Sequence, residues 1–317
     1  MDSDAGMRWT PHVTTVHAPR SDVPTPRPTD PPHIDDALVR DLVADRFPAW
    51  SGLPLRRWEP AGSDNVIYRL GDDLSVRLPR GEWAAGQAVK EHRWLPGLAA
   101  RLPLAIPAPV GLGEPALGYP WHWSVSQWLP GTAARTELLT DPQRAARDLA
   151  GFLTTLWETP LPGQGSDDAA PTAEGLARRD RATRDAITAT ADRFDAAALT
   201  RVWEAALATT DDRAPRWVHG DMHDGNLLVV DGRLSAVIDF GGLAAGDPAC
   251  DLVVAWTLFD AAARDTFRSL SGVDDATWTR GRGWAIATGL NAYTAYAAVN
   301  PRVAAATHRQ ITRAAAG

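Results

Sequence analysis

The stretch Trp217-Val218-His219-Gly220-Asp221-Met222-His223-Asp224-Gly225-Asn226 and the later Ile238-Asp239-Phe240-Gly241 bring three kinds of oxygen and nitrogen ligand into a short span. Between them, the apolar runs Leu227 to Val230 and Leu234 to Ile238 flank Asp231-Gly232, a strong short-range hairpin signal. Closing that turn with Val230 and Arg233 sets Asn226 opposite Val237 and makes Asp239 the diagonal neighbour of Asn226, about 7–8 Å away on one face. A carboxylate and an amide oxygen so placed can share one divalent cation, because magnesium ligands sit about 2.0–2.1 Å from the metal. Asp221, in the tight turn leading into the hairpin, would aim a carboxylate at phosphate held on that cation and accept a proton from a hydroxyl. The implied chemistry is phosphoryl transfer.

Singly, each of these residues is explained by turn chemistry, since Asp and Asn favour loops for backbone reasons. The hairpin that joins them is what favours a site. A competing arrangement puts His219 and His223 with Asp221 and Asp224 as a zinc-type cluster of a metal-dependent hydrolase. It leaves the hairpin and the second acidic segment without a role. His219 is therefore expected to be hydrogen-bonded inside the loop, and His223 to be exposed.

The elements that must position these groups can be read from periodicity. Ile34, Leu38, Leu42 and Val43 recur at helical spacing until Phe47-Pro48. Val66, Tyr68 and Leu70, then Leu74, Val76 and Leu78, alternate around Gly71-Asp72-Asp73 and predict a hairpin. A helix is expected over Trp83 to Leu98, loop or edge strand over Pro103 to Pro120, and an apolar strand over Trp121 to Leu129. Gly111-Leu112-Gly113 mimics a dinucleotide fingerprint, but Pro115 interrupts it and it reads as loop. After Pro130-Gly131 the pattern turns helical, beginning with the N-cap and first-turn proline Asp141-Pro142 and the stripe Leu149, Phe152, Leu153, Leu156 and Trp157. Amphipathic stretches follow at Phe194 to Leu207, Leu252 to Phe259 and Trp278 to Tyr296. The expected organisation is a disordered proline-rich tail over 1–33, a sheet-rich lobe over 34–130 and a helical lobe over 131–317.

Composition narrows the partners. A net charge of -7 speaks against a nucleic-acid footprint. The lone Cys250 rules out an internal disulfide and a zinc finger. No stretch approaches the roughly 20 apolar residues of a membrane span, and the opening residues lack a signal-like core, so a cytoplasmic protein with no membrane partner is expected.

His219-Gly220-Asp221 through Asn226, followed by Ile238-Asp239-Phe240-Gly241, resembles the aminoglycoside phosphotransferase family over Ile34 to about Tyr296. The resemblance implies an α+β, two-lobed protein-kinase-like fold with a small antiparallel-sheet N-lobe and a larger, mainly helical C-lobe. It implies ATP or GTP and Mg²⁺ as cofactors and a small-molecule hydroxyl as acceptor. Asp221 would be the catalytic base, Asn226 and Asp239 the magnesium ligands, and Gly246-Asp247-Pro248 with Asp251 the support of the catalytic loop. The nucleotide loop would fall on Gly62-Ser63-Asp64-Asn65, with Ser63 at the phosphates, and the hinge to the base on Gln127-Trp128-Leu129, with Gln127 and Leu129 as contacts.

One position departs from that pattern. Where kinase-like enzymes carry a strand lysine paired with a helix glutamate, Leu74-Ser75-Val76-Arg77-Leu78 offers Arg77, with Glu91 as its partner; Lys90, the sole lysine, sits beside Glu91 on the predicted helix. A guanidinium can clamp phosphate through two bonds, with different reach from an ammonium. The acceptor stays open. An antibiotic, aminoglycoside or macrolide, stands beside a sugar or amino alcohol; Asp260, Asp265, Asp274 and Asp275 would serve a cationic acceptor and Trp256, Leu258 and Phe259 a less charged one. A catalytically weak nucleotide-binding regulator is the reading from another class.

Overall fold

The computed structural model describes residues 33–59, 64–162, 169–210 and 213–317. The expected tail, apart from its last residue His33, and the nucleotide-loop residues Gly62 and Ser63 lie outside them. The chain divides into two compact units, one built from residues up to Pro96 with Pro107–Leu129, the other from Gly97–Ile106 with Pro130–Gly317.

In the first unit, the alternating residues form an antiparallel sheet whose strands are β1 (Leu55–Trp58), β2 (Asn65–Leu70), β3 (Leu74–Pro79), β4 (Pro109–Gly113) and β5 (Trp123–Gln127), in the order β1-β2-β3-β5-β4. β2 and β3 close the expected hairpin, Leu70 opposite Leu74. One face presents Val66, Tyr68, Leu70, Val76, Leu78 and Val125 to Val39, Leu42 and Val43 of α1 (Asp36–Arg46). α1 begins where the Asp35 carboxylate accepts the Leu38 N–H at 2.9 Å. Each aliphatic side chain so buried contributes about 1.5–3 kcal/mol, so this packing fixes which residues of β2 and β3 point the other way. Arg77 is one of them. α2 (Gln87–Ala99) carries Glu91.

Gly111 and Gly113 are strand rather than loop. A Cβ on Gly111 would lie 2.6 Å from the Phe47 ring and one on Gly113 2.0 Å from that of Trp123. The glycines let two aromatic rings pack on the edge strand, a tertiary cause that the local spacing does not express.

The second unit is mainly helical. α3 (Pro142–Glu158) is capped by Asp141, which accepts the Arg144 N–H at 2.9 Å, and buries the predicted stripe through Trp157. Then come α4 (Asp180–Ala189), α5 (Ala196–Ala208), α6 (Val254–Thr257), α7 (Ala261–Ser271), α8 (Asp275–Tyr296) and α9 (Pro301–Ala316). α8 is buried on nearly every side through its middle, as a helix surrounded by others must be. Among the described residues, five short strands complete the unit: β6 (Thr132–Ala133), β7 (Arg216–Val218), β8 (Leu227–Val230), β9 (Arg233–Val237) and β10 (Ala244–Gly246), with orders β6-β8-β9 and β10-β7. Ala105 bridges Ala236 in parallel, donating to the Ser235 carbonyl at 3.3 Å and accepting from Val237 at 2.9 Å, which ties the Gly97–Ile106 segment to β9.

Candidate functional site

β7 leads directly into His219-Gly220-Asp221, and that turn is held from beneath by one carboxylate. Asp251, fully buried, accepts the His219 N–H at 3.0 Å, the Gly220 N–H at 2.9 Å and the Trp157 indole N–H at 3.1 Å. Burial pushes the Asp251 carboxyl up, and these donors oppose the rise. Asp251 belongs to the 3-10 turn Pro248–Val253, whose N-cap is Asp247, accepting the Ala249 N–H at 3.0 Å. Gly220 has φ +81°, and a Cβ there would sit 2.4 Å from the Gly242 carbonyl oxygen. The His219-Gly220-Asp221 turn and the segment after Asp239 thus touch backbone to backbone.

The hairpin forms as β8 and β9 with Val230 opposite Arg233, but its register slips one residue further along. Val229 faces Leu234 and Leu228 faces Ala236, so Ser235 is the extra residue of a bulge, its hydroxyl donating to the Leu228 carbonyl at 3.2 Å. The expected opposition of Asn226 to Val237 is therefore corrected: Leu227 faces Val237, and Asn226 accepts the Ile238 N–H at 2.9 Å. Asp239 follows next, with a left-handed backbone at φ 64° and ψ 68° that costs a non-glycine residue about 1–2 kcal/mol. Asn226 is 3% exposed, and its Nδ2 donates to the Asp221 carbonyl at 2.9 Å and to Asp221 Oδ2 at 3.2 Å. With the nitrogen spent on Asp221, Oδ1 is the atom of that amide suited to a hard cation.

His219 is buried and structural. Its Nε2 lies 3.0 Å from the Ile238 carbonyl, which can only accept, so that nitrogen carries the proton and Nδ1 accepts the Asp221 N–H at 3.3 Å. Both nitrogens being used by the backbone, the zinc-type cluster loses a ligand; among the described residues no group of three or more His, Cys, Asp and Glu could hold a metal ion. His223 is not exposed as expected: 13% of its side chain is accessible, with Nε2 3.7 Å from Asp221 and Nδ1 3.8 Å from Asp224. Burial alone would lower its pKa, but the Asp221 and then Asp224 carboxylates outweigh it and hold the imidazole up at about 10. The Gly225 N–H, 3.0 Å from Nδ1, competes for the same nitrogen in the neutral ring; two carboxylates outweigh that single bond.

In the first unit, Arg77 Nη1 meets both oxygens of Glu91 at 3.1 and 2.9 Å, in a pair whose side chains are 11% and 2% exposed. The start of β2 is tied to α2 through Gln87, which donates to Asp64 at 2.7 Å and accepts from Asn65 at 3.1 Å. Gln127 and Trp128 spend their N–H groups on Ala108 and Asp73 carbonyls, at 3.0 and 2.7 Å. Sequence reasoning passed over Trp58. It pairs with Ile67, which pairs with Arg77, so the three share a face; its ring lies 4.8 Å from that of Trp128, and the Arg69 guanidinium stands 5.1 Å over Trp128. An aromatic ending a strand just before the expected nucleotide loop was the available signal.

Of the residues expected to meet an acceptor, all but Asp265 are otherwise employed. Trp256, Leu258 and Phe259 are fully buried core rather than pocket wall. Asp260 and Asp274 cap α7 and α8, and Asp275 pairs with Arg268 at 2.7 Å. Arg179 lies over the Trp284 ring at 4.8 Å; burial lowers its guanidinium, opposed by Glu174 and, at longer range, by Cys250 and Asp221.

Residues 57–284 match the sequence pattern of the phosphotransferase enzyme family. The chain belongs to that family. Its fold is the kinase-like, two-lobed α+β fold that the motifs imply. Among solved structures, this phosphotransferase is similar to APH(2")-IIia in complex with GDP and kanamycin, with 18% identity, a TM-score of 0.67, and coverage of 89% of this chain and 99% of that one. It is also similar to APH(2")-IIa in a ternary complex with streptomycin and ATP, at 16% identity and TM-score 0.58, covering 81% and 90%. Macrolide 2'-phosphotransferase MphH from Brachybacterium faecium, without ligand, matches at 25% identity and TM-score 0.56, covering 85% and 96%. No helix among the described residues is long and apolar enough to cross a membrane.

Proposed function

We propose that this chain moves the γ-phosphoryl group of ATP, or of GTP, to a hydroxyl of a small molecule. The observation that carries the reading is the Asn226 side chain, anchored through Nδ2 to Asp221 at 3.2 Å while its backbone pairs with the residue before Asp239. Asp221 accepts the hydroxyl proton, the freed oxygen forms a bond to the γ-phosphorus, the bond from phosphorus to the bridging oxygen breaks, and the nucleoside diphosphate leaves. Asn226 Oδ1 and Asp239 would hold Mg²⁺, which when bound neutralises phosphate charge. Arg77, steadied by Glu91, reaches the phosphates; Gln127 and Leu129 line the nucleotide, and the Trp58–Trp128 pair offers a face to the base. The proteins whose complexes contain GDP or ATP support a nucleotide donor.

A weakly charged acceptor, such as a macrolide or a sugar, is favoured over a polycationic aminoglycoside. Asp260 and Asp274 are consumed as caps, and the Arg179 guanidinium lies within electrostatic reach of Asp221. The test is a panel of aminoglycosides, macrolides, sugars and amino alcohols with ATP and magnesium, scored by the mass gain of one phosphate. Asp221→Asn should lower turnover by about 10²–10⁴-fold and leave the folded state intact. Undiminished turnover in that variant rejects Asp221 as the base, and failure of every acceptor to stimulate ADP release turns the reading toward a nucleotide-binding regulator.

A further inference from the structure

Arg280 is a charged residue only 4% exposed that the chemistry above does not use. From α8 its Nε and Nη2 fork onto the Asp247 carboxylate at 2.6 and 3.2 Å, and its Nη1 donates to the Thr210 carbonyl at 2.9 Å. A buried ion pair of this kind seldom stabilises a fold more than apolar groups of the same size, because desolvation offsets the attraction; what the planar fork supplies is fixed geometry. The same Asp247 carboxylate caps the turn Pro248–Val253, and that turn carries Asp251, the clamp on the His219 and Gly220 N–H groups. The neighbouring Gly281 brings α8 so close to this turn that a Cβ there would lie 2.7 Å from the Leu252 Cβ. Guanidinium, capping carboxylate, one helical turn and second carboxylate form an unbroken series of short contacts ending at the residue before Asp221.

We infer that Arg280 is a positioning residue for Asp221: by holding Asp247 in one orientation it sets where Asp251 grips the His219-Gly220 backbone, and so where the Asp221 carboxylate stands. The kinetic side of this rests on Asp221 being the base; the structural side does not. Arg280→Gln and Arg280→Lys in the full chain test both. Arg280→Gln should lower kcat by about 10- to 100-fold with the nucleotide KM within about 2-fold, and Arg280→Lys should recover part of the loss. Independently, hydrogen exchange at the His219 and Gly220 amides should accelerate at least about 10-fold in Arg280→Gln while the amides of β8 and β9 keep their protection. If Arg280→Gln does not fold, Arg280→Lys carries the same two readouts at smaller amplitude. Unchanged exchange at residues 219 and 220 overturns the inference whatever kcat does; so does acceleration spread evenly over the second unit, or accelerated exchange at these amides with kcat unaltered. Should the wild-type chain phosphorylate nothing, the proposed function fails and the exchange pattern alone decides this one.

Discussion

Each unit buries a carboxylate, and the two are satisfied in opposite ways. Glu91 in the first unit is met by a side chain, both oxygens contacting one nitrogen of Arg77. Asp251 in the second is met largely by main chain, two consecutive backbone N–H groups and one indole. A side-chain partner can be exchanged for another cation with adjustment of reach, which is how an arginine can stand where a lysine is usual. A main-chain partner cannot be exchanged, so the turn it holds is tied to a fixed spacing of residue types. The difference teaches where a sequence is readable: His219-Gly220-Asp221 declares itself, whereas Arg77 is found only after its strand has been placed.

The largest expected effect follows from removing the main-chain clamp. Asp251→Ala leaves three buried donors without their acceptor and should cost about 3–5 kcal/mol of stability, seen in urea unfolding, with loss of phosphoryl transfer. If stability falls while turnover persists in the remaining folded fraction, the clamp does not position Asp221. Arg77→Met tests the other unit: an unpaired Glu91 should cost about 3 kcal/mol and raise the nucleotide KM about 10-fold, and Arg77→Lys should restore most of the stability. Equal KM values for all three would make the pair purely structural.

A smaller effect concerns pH. Against burial, which lowers it, the Asp221 and then the Asp224 carboxylates hold His223 up at about 10, so its charge contributes stability that is fully present below about pH 6.5 and lost as pH rises through about 10. The gap in Tm between wild type and His223→Gln should therefore narrow steadily between pH 7 and pH 10. A gap that widens with pH reverses the sign and rejects the charged state. Smallest is Trp58→Ala: loss of one exposed stacking face should weaken nucleotide binding about 5-fold, or about 1 kcal/mol, with stability nearly unchanged, as read by titration of ATP against tryptophan fluorescence.

The β2–β3 hairpin, β5 and the N-capped α3 were legible because alternation and capping are local. What was not legible depends on contacts between distant residues. Ser235 bulges because its hydroxyl finds the Leu228 carbonyl, which moves the register one step and gives Asn226 a different partner. Gly111 and Gly113 read as loop until the Phe47 and Trp123 rings are seen lying on them. Trp256, Leu258 and Phe259 have the composition of a pocket and the position of a core. Arg280 and Asp247 are far apart in sequence, and α8 lacks the polar face that would have singled out its one buried guanidinium.

The contact of Gly220 with Gly242 has a thermodynamic consequence. Because no side chain separates the two strands of backbone there, denaturant cannot release the segment bearing Asp221 while the one bearing Asp239 stays ordered. Asp221 and Asp239 should melt as one cooperative block.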